Sequence, residues 1–288
     1  MNHRLIRFLV IALLCILGVL PGSAGEKRAG DEDCIPFTLQ QKKAAHPAAR
    51  QDWSTTLGLL LKLRLYETRQ DDLAPLMSDL ATPLEARLQT RAHRDYSLLA
   101  YAASTEPGSP AAVFLFHRSH LIRIGIIPSL QGQSFCFLDA YVAKWYHRPG
   151  FRHKELTLST KERKNSPAAR SWEQQMTEIA RKAGDMKQKD VRTRLLALPG
   201  DVSGEQHSPL PTGKGFVHFY HNHTEAEAPT AYFRHGKYHY MRNASFVFTS
   251  GGKLLTMCTG IEIGHSELPE DGSTDPLMLE HNYALLPM

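Results

Sequence analysis

Within Leu57–Tyr66, the leucines at 59, 61, 63 and 65 alternate with Leu60, Lys62 and Arg64. A period of two predicts a half-buried strand with Lys62 and Arg64 outward. Between 70 and 92 the spacing changes. Leu73, Leu76, Met77, Leu80, Leu84 and Leu88 recur every three or four residues, interrupted by Pro75 and Pro83, which predicts one or two short helices. Strands then return at Tyr96–Ala103, Ala112–His117, Leu121–Ile127 and Ser134–Trp145, separated by turn residues and read as an antiparallel meander. A basic, proline-broken stretch spans 147–170. Trp172–Ala183 then sets Trp172, Met176, Ile179 and Ala180 on one stripe, which predicts a helix.

Residues 199–214 read as a turn-rich loop. A second β block follows at Phe216–His221, Ala231–Tyr240, Ser245–Thr249 and Lys253–Ile263, with Gly251-Gly252 as a tight hairpin turn. The apolar tail Tyr283–Met288 is expected to dock on the body. The pattern predicts an α+β fold of two β-rich lobes, each an antiparallel meander with one or two helices. The expected boundaries are a leader at 1–24, an N-terminal α+β domain at 25–150, a basic linker and helix at 151–184 and a C-terminal β-rich domain at 185–288.

The leader carries Arg4 and Arg7, an unbroken apolar run from Phe8 to Leu20, and then Pro21-Gly22-Ser23-Ala24. Basic start, short apolar run and small residues before Gly25 are the marks of a secretory signal peptide. About 13 apolar residues fall short of the roughly 20 that span a bilayer. Cys15 follows the bulky Leu14, which does not suit lipid attachment. Export to the periplasm or beyond is expected, without stable membrane insertion. The formal charge of +5 falls to +3 once Arg4 and Arg7 leave, and the charges are interspersed, so nucleic acid is not an expected partner.

Loss of Cys15 would leave Cys34, Cys136 and Cys258. An oxidising compartment permits one disulfide. Cys34 and Cys136 border the first β block and are the expected pair. Cys258 lies mid-strand, where a free cysteine usually acts as a small buried apolar residue.

Five of the fifteen histidines fall between His218 and His239. On a strand, His221 and His223 would share a face and His218 would point the other way. With His239 or His235 from the next strand they could hold Zn²⁺ or Cu²⁺, the chemistry of a metal-dependent hydrolase or a metal carrier. The alternative is a tyrosine-rich contact face built from Tyr220, Tyr232, Tyr238 and Tyr240, since Tyr is enriched at interfaces. The sequence has no HExxH, no nucleophile elbow at Gly200–Gly204, no phosphate loop at Gly213-Lys214-Gly215 and no GxGxxG after a strand. No catalytic residue and no cofactor is therefore expected. Asn222-His223-Thr224 and Asn243-Ala244-Ser245 are formal glycosylation sequons.

Three short features stand in a recognisable order: Cys34-Ile35-Pro36-Phe37 after the leader, Gln133-Ser134-Phe135-Cys136-Phe137-Leu138-Asp139 mid-chain, and Leu195–Gly200 running on to Gly204-Glu205 ahead of the second β block. Together they resemble the two-domain periplasmic immunity proteins of type VI secretion lipase effectors. The Gly-Arg that usually follows the first cysteine there, and the later Asp-x-Pro, are absent. The resemblance implies a non-enzymatic inhibitor whose partner is a secreted phospholipase-type effector.

Overall fold

The computed structural model describes residues 34–41, 52–78, 80–89, 95–139, 150, 152–157, 171–198, 202–210, 213–225, 238–265 and 283–288. Residues 1–24, expected to be a leader, Tyr232, His235 and the stretch 140–149 lie outside the described residues.

Strands β3 (Tyr96–Ala102), β4 (Ala111–His117) and β5 (His120–Ile127) form the meander expected from their apolar runs. Every residue of β4 is buried, which is why its sequence is apolar nearly throughout instead of alternating. Arg118 and Ser119 join β4 to β5 with φ of 47° and 68°, the two left-handed residues of a tight hairpin turn. Further along, the chain adds β6 (Ser134–Asp139). It does not extend the meander: it pairs with β1 (Cys34–Gln41), which pairs in turn with β2 (Thr82–Leu88), and β2 with β3.

The second β block contributes β8 (Val202–Ser208), β9 (Phe216–Glu225), β10 (Tyr238–Phe248) and β11 (Leu254–His265). The edge strand β7 (Arg152–Thr157) and the final β12 (Tyr283–Pro287) complete the set. The order is β12-β6-β1-β2-β3-β4-β5-β11-β10-β9-β8-β7, and every described pairing is antiparallel. The two blocks do not stand as separate lobes. β11 pairs directly with β5, from Met257↔Ile126 to Gly260↔Arg123, so one twelve-stranded sheet runs through both. Tyr283–Met288 docks as expected, with β12 pairing along β6.

The sheet curls until its β12 end meets β10 and β11. Ser245 Oγ donates to the Tyr283 carbonyl at 2.9 Å, and Thr256 Oγ1 donates to the Leu285 carbonyl. Phe37, Phe135 and Phe137 stack along the β1–β6 pair, and Phe137 meets Tyr283 edge-on. A smaller core of Val217, Phe219, Val247, Leu210, Cys136, Leu138, Ala284 and Leu286 closes β12 and β6 against β9 and β10.

Four helices are described. α1 (Trp53–Leu60) takes the first four residues of the strand expected at Leu57–Tyr66, and Leu61–Tyr66 form turns instead. Asp52 caps it by accepting from the Thr55 amide, and Thr56, Leu57 and Leu60 are its buried positions. The cap starts a helix ahead of the leucine run, and the helix ends at Leu60, before most of the alternation. α2 (Gln70–Ser78) fulfils the helical reading after residue 70. The second half of that reading fails, because residues 82–88 are β2, placed between two strands that supply its ladder. α3 (Trp172–Lys182) has the expected buried stripe and a Ser171–Gln174 capping box. α4 (Gln188–Leu196) was not foreseen, and Leu195 and Leu196 form its last turn.

Candidate functional site

On β9, Phe216, His218 and Tyr220 point to one face and Val217, Phe219 and His221 to the other. His218 and Tyr220 are each only 1% exposed. His218 Nε2 lies 3.1 Å from Gln206 Oε1, and Nδ1 lies 3.1 Å from the Tyr220 hydroxyl. Gln188 of α4 approaches Nε2 at 3.2 Å, and Phe216 and Phe248 pack on the ring. Burial, followed by the positive charges of Arg192, His207 and Lys154, pushes His218 down to about 3. Burial also pushes the Tyr220 phenol up. Both groups are neutral at physiological pH. They form a hydrogen-bonded part of the core, so Tyr220 is not on a contact face.

Tyr238 and Tyr240 lie near the start of β10, facing His265 and Ile263 of β11, while Tyr232 is outside the described residues. His221 is buried opposite Asn243. His223 falls where the β9–β10 register slips, and His239 lies four residues from Asn243, about 13 Å along the strand. Among the described residues no group of three His, Cys, Asp or Glu is placed to hold a metal. Asn222 and Asn243 are buried, which sets both sequons inside the sheet instead of on a glycosylated surface.

The first pair of sequence landmarks does meet. Pro36 stands opposite Cys136, and Cys34 is disulfide-bonded to Cys136 across β1 and β6. Cys258 is free and buried, and burial pushes its thiol up to about 12.

A second polar cluster was missed by the sequence reading. It surrounds Arg123, which is 1% exposed in mid-β5. Nη1 donates to the carbonyls of Ile122 at 2.7 Å and Ile261 at 3.3 Å. The guanidinium carbon stands 5.8 Å from the centre of the Tyr283 ring, a cation–π contact. The side chain fits because β11 carries Gly260 opposite: a Cβ there would come within 2.4 Å of the guanidinium carbon. The Tyr283 hydroxyl hydrogen-bonds that of Tyr96 at 3.1 Å, and His117 packs on the Tyr96 ring. Burial pushes the Tyr283 phenol well up and raises Tyr96 too, so both stay neutral; Asp139 raises them further and Arg123 opposes it. The signal was available: Arg123 is a lone charge in the otherwise apolar Leu121–Ile127.

On the surface, a cleft of about 300 Å³ opens between the chain after α1, the start of α3, and β11. Leu61, Leu63, Ile124 and Trp172 line it, with ion pairs Arg64–Glu67 at 3.0 Å and Arg242–Glu173 at 3.2 Å on its walls. Gly58 of α1 faces Thr177 of α3. Lys62 and Glu173 also border an adjoining depression along α3 that reaches Arg181. No helix among the described residues is long and apolar enough to cross a membrane. Set against known proteins, the chain matches no family model, no curated protein and no solved structure.

Proposed function

We propose that this chain is an exported, non-enzymatic binding protein that inhibits a type VI secreted phospholipase toxin, an immunity protein of the periplasm. The observation that carries the reading is the Cys34–Cys136 bond. A structural disulfide belongs to an oxidising compartment, where the leader of residues 1–24 would deliver the chain. It also ties together the two cysteine-bearing stretches on which the resemblance to such inhibitors rests.

With Tyr220 in the core, the contact face is assigned to the cleft beside α1 and α3. Its apolar floor and walls of both charges suit an anchor side chain flanked by polar groups from the toxin. The test is periplasmic co-production with a type VI phospholipase effector. Protection of the cells and a one-to-one complex are expected, weakened at least tenfold by Lys62→Ala with Arg242→Ala. A chain that stays reduced in the cytoplasm, or that gives no protection against any such effector, overturns the reading.

A further inference from the structure

We infer that the groove between α3 and α4 is a binding site for a short extended peptide, recognised through the side-chain amide of Gln175. Five residues of α3 are buried: Trp172, Gln175, Met176, Ile179 and Ala180. Gln175 is the one amide among them. It is 1% exposed, and its Oε1 is buried with no hydrogen-bond partner. Its Nε2 forms no hydrogen bond among the described residues either. A buried amide without partners destabilises the free chain, and a methionine would fill the same space without that cost. The side chain lines a groove of about 620 Å³, a space that another molecule can enter. With neither amide atom engaged, a half-turn about χ3 exchanges them without loss of a hydrogen bond, so either end can meet a ligand.

An amide offers a donor and an acceptor side by side, and another amide matches it. A peptide group supplies both: its N–H donates to Oε1 and its carbonyl accepts from Nε2. The charged residues on the groove walls cancel, Lys182 and Arg194 against Asp185 and Asp190. Arg194 is held by Glu178, and Asp190 accepts from the Lys187 amide at 3.0 Å. No net charge is left to select an ionic ligand, so the uncharged amide carries the recognition. From Gln175 to Lys182 the groove follows α3 for about 10 Å, the reach of about three extended residues. The groove shares no lining residue with the cleft assigned to the toxin, so the two readings stand or fall separately.

The test uses the mature, oxidised chain, isotope-labelled so that the side-chain amide signals of Gln175 can be followed by NMR. The probe is N-acetyl-trialanine amide, which carries peptide groups and no charge. Trialanine with free ends and alanine alone are parallel arms. The capped tripeptide is expected to shift the Gln175 signals saturably, one per chain, with a Kd of about 1 mM. Which of the two tripeptides binds more tightly tells an internal segment of a longer chain from a free peptide. Gln175→Met, which also assigns the signals by their loss, should weaken binding at least tenfold. It should also raise Tm of the free chain by about 2–6 °C, because the unpartnered amide is gone. If the methionine variant does not fold, Gln175→Leu and titration of the native chain decide. The inference is overturned if neither tripeptide moves the Gln175 signals up to about 50 mM, or if alanine alone moves them as far. Equal binding by Gln175→Met overturns it too, as does a lowered Tm in that variant, which would show the amide satisfied by the chain itself or by fixed water.

Discussion

Gly125 of β5 faces Leu285 of β12 so closely that a Cβ on Gly125 would stand 2.7 Å from Leu285 Cδ2. The two residues come from opposite sides of the curled sheet, and the missing side chain sets how tightly it closes. Phe137 lies on the same spot at 3.4 Å, which leaves Leu285 little room to retreat. Gly125→Ala should therefore cost about 1–3 kcal/mol by overpacking. Urea unfolding measures it. An alanine variant as stable as the parent would mean that the two surfaces do not meet.

Stability should fall in mild acid because of His218. Its folded value is lowered to about 3 against 6.5 for the unfolded side chain, so between these limits the unfolded state binds more protons. The contribution is complete above pH 6.5 and declines as pH falls through that window, by about 1.4 kcal/mol per unit at most. His218→Gln, which keeps a polar group toward Gln206 and Tyr220, should flatten the profile between pH 6.5 and 4. A pH dependence unchanged by this substitution would assign the acid sensitivity elsewhere.

Reduction of Cys34–Cys136, or paired replacement by serine, should lower stability by about 2–4 kcal/mol by freeing a loop of roughly a hundred residues in the unfolded chain. Non-reducing peptide mapping should find these two cysteines joined and Cys258 unmodified without denaturant. A crosslink containing Cys258 would contradict the pairing.

The β4–β5 turn puts Arg118 and Ser119 in left-handed backbone that non-glycine residues adopt at a cost. Arg118→Asn with Ser119→Gly should add about 0.5–1 kcal/mol, since Asn-Gly is the preferred pair for such turns. A raised Tm is the expected readout. A fall would show that the two side chains contribute more than the strain they carry.

Where burial imposes one period on a segment, the sequence could be read directly. Ala111–His117 is apolar nearly throughout because both faces are covered, and Trp172–Lys182 shows its stripe because only one is. The leucines before Tyr66 alternate as a strand would, yet the Asp52 cap starts a helix that takes in Leu57, Leu59 and Leu60, and Leu61, Leu63 and Leu65 fall in turns. α4 went unseen because Val191 and Leu195 alone mark its buried side. β7 and β8 went unseen because their sequences, RHKELT and VSGEQHS, lack a strong apolar alternation. The joining of the blocks through β5 and β11 rests on pairing between residues far apart in the chain, which no local pattern records. In the histidine-rich stretch, residue counting set His218 apart from His221 and His223, but burial, which counting cannot supply, turned Tyr220 from a surface residue into a core one.

β12 gives the sheet a temporal order. β6 is made early, yet its outer neighbour is Tyr283–Pro287, so that edge stays open while more than a hundred further residues are synthesised or threaded out. During this interval the Phe135-Cys136-Phe137-Leu138 edge can pair with any strand that reaches it, including the same edge of another molecule. Refolding yield should consequently fall with protein concentration, and a chain ending before Tyr283 should self-associate even though most of its sheet is intact. The last strand to arrive protects the first half of the molecule.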